Sequence, residues 1–84
     1  MNCIVLTPEK ELLNMEVKSV KVPGVSGQFE ILNNHAPIVS ALGQGAIRII
    51  PVSGENINFN ITKGFVEVLN NEVSLLVQEA KANG

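Results

Sequence analysis

Aspartate, tryptophan and tyrosine are absent from this 84-residue chain, and cysteine and histidine occur once each. One histidine and one cysteine, with no H-x-x-x-H or C-x-x-C spacing, cannot assemble a zinc site from local sequence. The single Cys3 cannot close an internal disulfide, which fits reducing surroundings. Long apolar runs are also missing. No stretch approaches the roughly 18 residues that a membrane helix needs, and no basic-then-apolar leader opens the chain. Direct membrane insertion is therefore not expected. The six Lys and Arg residues are scattered and the net charge is −2. A nucleic-acid binder would cluster its bases and interleave them with aromatics, so that partner class is not expected either.

What is present is β-branched. Val and Ile dominate the apolar residues, and three Phe are the only aromatics. Branched aliphatics suit a pleated sheet better than a helix. The length leaves room for one domain, residues 1–84. A chain this short buries about 60–65% of its unfolded surface, so its stability is marginal and a partner surface would help.

The pattern along the chain predicts short strands divided by turns. Asn2 to Leu6 is a strand stopped by Thr7-Pro8, because Pro8 offers no ladder donor. Pro8 to Glu11 reads as a polar turn and Leu12 to Met15 as a second short segment. From Val17 a period of two places Val17, Ser19 and Lys21 on one face and Lys18, Val20 and Val22 on the other. Pro23-Gly24 is expected to break that strand, with Gly24 free to take φ > 0 in a type II turn. Gly27 to Leu32, Ile38 to Leu42, Ala46 to Val52, Ile57 to Thr62, Phe65 to Leu69 and Val73 to Val77 follow. Between them lie turns at Asn33-Asn34, Gly43 to Gly45, Ser53 to Asn56, Lys63-Gly64 and Asn70-Asn71. Glu79 to Gly84 reads as a short polar tail. Turn signals every 6–12 residues imply an all-β fold, an antiparallel sandwich or flattened barrel.

Residues able to do chemistry are few. His35 has no ligand neighbours and no nucleophile-elbow motif, so it is expected to end a turn and bond local backbone. Cys3 lies in an apolar strand as a small buried hydrophobe. The glycines spell no phosphate loop, because no helix start follows them. Glu30 and Glu67 face outward without pairing as acid and base. Lys63 in Thr62-Lys63-Gly64 invites comparison with lipoyl and biotinyl carrier domains, which present a lysine at a hairpin tip. Its flanking residues do not match theirs. No metal site, cofactor or catalytic residue is expected.

One run is more specific than any of these. Gly27-Gln28-Phe29-Glu30-Ile31-Leu32, the turn pair Asn33-Asn34 and His35-Ala36-Pro37 resemble the signature of the epsilon subunit of the F-type ATP synthase. Gly43-Gln44-Gly45-Ala46-Ile47-Arg48-Ile49-Ile50, Ile61 to Val68, Asn71 to Val77 and Val5-Leu6-Thr7-Pro8 are similar to the same family. Nearly the whole chain is covered. The resemblance implies the family's amino-terminal domain, a flattened antiparallel β-sandwich of about ten short strands. It implies a non-catalytic role at the foot of the central stalk. There the domain binds the gamma subunit, rests on the c-ring and couples proton-driven rotation to the catalytic alpha/beta head.

By the same resemblance, Gln28, Glu30, Asn33, Asn34 and His35 are expected at the c-ring interface. Thr7, Ser40 and Leu42 are expected at the gamma interface. The chain departs from the usual pattern with Gln28 for an acidic residue, Glu30 for glycine and Asn33-Asn34 for Pro-Gly; Glu30 is expected to restore the displaced charge. Members usually continue into two helices that inhibit hydrolysis or bind ATP, so a chain ending at Gly84 is expected to be a short form without that inhibition. The implied location is peripheral, on the cytoplasmic face of the bacterial inner membrane, with the chloroplast thylakoid as alternative. The rival readings are a carrier domain modified at Lys63 and a generic β-sandwich interaction module.

Overall fold

The structure is a computed structural model that describes residues 1–78 and 80–82. Alternating branched aliphatics form nine strands among the described residues: β1 (Asn2–Leu6), β2 (Glu11–Gly24), β3 (Gly27–Leu32), β4 (Ile38–Leu42), β5 (Gly45–Pro51), β6 (Ile57–Ile61), β7 (Lys63–Leu69), β8 (Glu72–Gln78) and β9 (Lys81–Ala82). No helix occurs among these residues. The strands are joined in one hydrogen-bonded path, β1-β8-β7-β4-β2-β5-β6-β9, with β3 attached to β2 and β2 also paired to β1. Because β2 serves both wings, the path folds into a flattened sandwich of 28 × 27 × 22 Å. One wing holds β1, β8, β7 and β4; the other holds β3, β5, β6 and β9 about the second half of β2.

The inward positions of both wings make one core. Cys3, Val5, Val66, Val73 and Leu75 from the first wing meet Val20, Val22, Ile31, Ile47 and Ile49 from the second, each with no solvent exposure or nearly none. No Trp or Tyr is needed to fill it, since β-branched side chains pack well on a pleated surface. Pairing is antiparallel throughout except between β1 and β8, which run parallel from Asn2↔Glu72 to Leu6↔Leu76.

Several boundaries differ from those expected, each for a physical reason. Leu12 to Met15 and Val17 to Val22 belong to one 14-residue strand. Its register against β5 slips between Val17 and Ser19, and that bulge shifts the buried phase from Val17 to Val20 and Val22. A bulge bends a strand and re-aims its side chains, and this lets β2 cross between the wings. Pro51 pairs with Val17 at the slip, as a proline at a bulge should.

Pro23-Gly24 forms the last two residues of β2 rather than a turn that breaks it; both pair with β3, and the turn is Val25-Ser26. Gly24 is required for space rather than for positive φ. A Cβ there would lie 2.7 Å from the Gly27 carbonyl oxygen and 2.9 Å from the Phe29 ring. Lys63-Gly64 is strand, not turn: β6 runs into β7 with only Thr62 between them. The expected tail contains β9, paired with β6 through Asn60↔Lys81 and Phe59↔Ala82. Glu79, Asn83 and Gly84 lie outside the described residues.

Candidate functional site

The described residues hold no cluster of three or more His, Cys, Asp or Glu side chains. None of their buried side-chain polar atoms lacks a partner. Burial pushes the Cys3 thiol up to about 12, because the thiolate would be desolvated, so it stays protonated and unreactive at neutral pH. His35 closes its turn through its backbone N–H, which donates to the Leu32 carbonyl at 3.1 Å. Its ring Nδ1 lies 2.7 Å from the Ala36 carbonyl oxygen and must be the donor there, since a carbonyl only accepts. What remains as a site is surface.

The outer faces of the two wings differ. Across β1, β8, β7 and β4 the ladders align Leu6, Leu76, Phe65 and Ala41 in one outward row. That row is about 14 Å wide at the usual spacing between strands. Phe65 is 57% exposed and Leu76 55%, while their chain neighbours Val66 and Leu75 are fully buried. Val39 and Leu69 extend the same face at 73% and 50% exposure. On the other wing the central outward row is Glu30, Lys21, Arg48 and Asn58. There each acid or amide meets a base across the ladder, which is ordinary solvated sheet.

An open groove of about 490 Å³ lies at one end of the apolar row, lined by Leu6, Thr7, Leu42, Gly64, Phe65 and Leu76 among others. Lys63 is the one charged residue on its margin. Gly64 sets its floor. A Cβ at that position would stand 2.5 Å from the Leu76 carbonyl oxygen, so only glycine lets β7 and β8 approach this closely.

At the opposite end, Asn34, Asn70 and Asn71 all take positive φ, of 62°, 51° and 62°. Asn70-Asn71 is thus a two-residue hairpin turn of the kind that needs αL at both positions. The Asn71 side-chain oxygen accepts from the Asn34 backbone N–H at 2.8 Å. The Asn71 carbonyl accepts from the Asn2 N–H at 3.2 Å. One asparagine therefore ties the β3–β4 turn to the β7–β8 hairpin and to β1.

The residues expected at the c-ring interface form two groups. Asn33, Asn34 and His35 share the β3–β4 turn, the asparagines exposed and His35 half-buried. Gln28 and Glu30 point outward from β3, which pairs only with β2 among the described residues. Gln28 lies about 17 Å from Asn33 along the strand. It sits near the groove end, where the hairpin joins β4 through Val25 N–H to Ala41 O at 3.1 Å. Of those expected at the gamma interface, Thr7 stands half-buried at the groove rim. Leu42 is a core residue at 2% exposure whose edge reaches the groove. Ser40 faces inward opposite Val66 and is half-buried. The outward neighbours Val39, Phe65, Leu69 and Leu76 were not anticipated. Their signal was apolar residues in both phases of Phe65 to Leu69 and of Leu75 to Val77.

Residues 1–83 match the family model for the beta-sandwich domain of the ATP synthase delta/epsilon chain. The chain is 47% identical over 77 residues to the ATP synthase epsilon chain of Leptospira borgpetersenii, covering 90% of this chain and 59% of that one. It is 37% identical over 75 residues to that of Chlorobaculum tepidum, covering 89% of this chain and 85% of that one. Against the epsilon chain of Protochlamydia amoebophila it spans about half of the relative's length, 49%. Among solved structures, the fold is similar to a chain of the Euglena gracilis mitochondrial ATP synthase at a TM-score of 0.88 and 21% identity. That match covers 95% of this chain and 51% of the other.

Proposed function

Because the chain belongs to the β-sandwich family of ATP synthase delta/epsilon chains, we propose that it is a stalk subunit that clamps two partners and transmits rotation between them. The apolar wing docks on the gamma subunit. The polar margin made by Asn33, Asn34, His35 and the outer side of β3, with Gln28 and Glu30, bears on the polar loops of the c-ring. Torque from proton-driven ring rotation then passes through the rigid sandwich to gamma and so to the alpha/beta head. The subunit makes and breaks no bonds and needs no cofactor. Its attachment to the membrane runs through its partners, on the cytoplasmic face in a bacterium or on the equivalent thylakoid face in a chloroplast.

The observation that carries this reading is the outward row Leu6, Leu76, Phe65 and Ala41. An exposed apolar patch on so small a domain marks a protein interface. Burying it on an apolar partner surface also supplements a core that is small for one domain. Polar ring loops match the asparagine turn better than they match Phe65 and Leu76. Within the gamma contact, Thr7 and the edge of Leu42 form the rim, and Ser40 supports β4 from inside.

The carrier reading is disfavoured by the fold. Lys63 pairs with Gln78 inside a strand ladder, so it stands at no hairpin tip where a modifying enzyme could grip it. The test is co-purification with the matching gamma subunit. A stable complex that is lost in Leu76→Glu supports the proposal. No complex with gamma, or an intact mass showing a lipoyl or biotinyl adduct, overturns it.

A further inference from the structure

The outward residues of β7 are Lys63, Phe65, Glu67 and Leu69, so charges of opposite sign flank the row of Leu6, Leu76, Phe65 and Ala41 on its two sides, with Glu67 set between Phe65 and Leu69. Lys63 stands at the groove end. Glu67 lies about 13 Å further along the strand, opposite Ser74 on β8. Glu72, two residues before Ser74, is its diagonal neighbour, about 7–8 Å away. Phe65 and Leu76 occupy the space between. Among the described residues, the one ion pair joins the Met1 ammonium to Glu16 at 3.1 Å, so Lys63, Glu67 and Glu72 have no partner of opposite charge. Glu11, paired with Leu6, sits at the lateral edge of the face and does not alter this end-to-end polarity.

We infer that Lys63 at one end and Glu67 with Glu72 at the other fix the orientation in which the partner seats on the apolar face. The inference rests on the docking reading above and deepens it. The complementary partner surface has an apolar strip with an acidic group at the Lys63 end and basic groups at the Glu67–Glu72 end. Apolar contact alone is non-directional. A partner could slide or reverse on Leu6, Leu76 and Phe65, and a torque-bearing joint that slips transmits nothing. Opposed rim charges penalise the wrong orientation by like-charge contact and speed the right one by steering.

The experiment measures association of the purified chain with its matching gamma subunit at low and high salt. The variants are Lys63→Glu, the pair Glu67→Lys with Glu72→Lys, and Leu76→Glu. All four positions are exposed on strands; Lys63→Gln replaces Lys63→Glu if the latter folds poorly. Local polarity predicts that both charge reversals slow association by roughly tenfold at low salt, with the loss shrinking as salt rises. Steering by net charge alone predicts opposite effects, since one variant makes the chain more negative and the other more positive. Opposite effects, or no effect of either reversal while Leu76→Glu still abolishes binding, overturn the inference and leave the docking reading standing. Binding that survives Leu76→Glu overturns the docking reading itself.

Discussion

Leu75 and Leu76 are consecutive, chemically identical, and differ in everything a protein does with a leucine. Leu75 faces the core with no exposure, whereas Leu76 faces out at 55% exposure in the row with Leu6, Phe65 and Ala41. The same contrast holds between the two outer faces: one wing shows solvent an apolar row, the other Glu30, Lys21, Arg48 and Asn58. A sheet with one solvated face normally alternates apolar with polar, and the central row of the second wing obeys, with Leu32 left exposed beside Glu30 on β3. The first wing adds to its buried face an outward apolar row, Leu6, Leu76, Phe65 and Ala41, set among Lys63, Glu67 and Ser74. On the proposed docking, folding and binding use the same residue types in this wing, and only strand phase separates the two roles.

That contrast can be broken at graded cost. Leu75→Ala should lose about 2–5 kcal/mol, a large share of the roughly 4–12 kcal/mol expected for a domain of this length. Leu76→Ala should stay within about 0.5 kcal/mol of the parent while weakening gamma binding. Paired urea melts check both, and equal melts for the two variants would erase the distinction between the phases. Gly64→Ala comes next. The added Cβ meets the Leu76 carbonyl, which is backbone and cannot swing aside, so a cost of about 1–3 kcal/mol is expected with some reshaping of the groove.

Smaller effects come from the asparagine end. Asn71→Gly keeps the positive φ and loses the hydrogen bond to Asn34, about 1 kcal/mol. Asn71→Ala should cost about 1–2 kcal/mol more, since it adds left-handed strain to the same loss. Identical melts for the two would show that the φ requirement is not felt. Smallest is Lys21→Glu on the charged wing, which places an acid opposite Glu30 but relieves the like-charge pairing with Arg48, so stability should change by under about 1 kcal/mol. It should leave gamma binding unchanged in a pull-down, and a lost complex would implicate the second wing in docking.

The sequence carried most of the fold because alternation is local. Asn2–Leu6, Gly27–Leu32 and Ile38–Leu42 could be bounded to the residue from it. What it hid depends on distant partners. The β2 bulge at Val17 to Ser19 is invisible in a run that reads as clean alternation, because the slip is defined by β5. Pro23-Gly24 looked like a stop, yet it stays in the ladder because Gly24 packs beneath Phe29 and the true turn lies at Val25-Ser26. The parallel pairing of β1 with β8 joins segments about seventy residues apart, and no local pattern encodes it. For the site, the turn at Asn33 to His35 was legible from its own chemistry. The apolar face was not, since Phe65, Leu69 and Leu76 become a patch only once β7 is set between β4 and β8.

On the proposed docking, gamma covers the apolar wing and leaves the charged wing open at Arg48. The chain suits thiol labelling, because its one native cysteine, Cys3, is buried and its thiol pushed up to about 12. Phe65→Cys and Arg48→Cys variants would each be treated with a maleimide, free and in complex with gamma. Phe65→Cys should label readily when free and be protected in the complex, while Arg48→Cys should label in both. Equal labelling of Phe65→Cys in the two states, or protection of Arg48→Cys instead, would contradict the proposed docking.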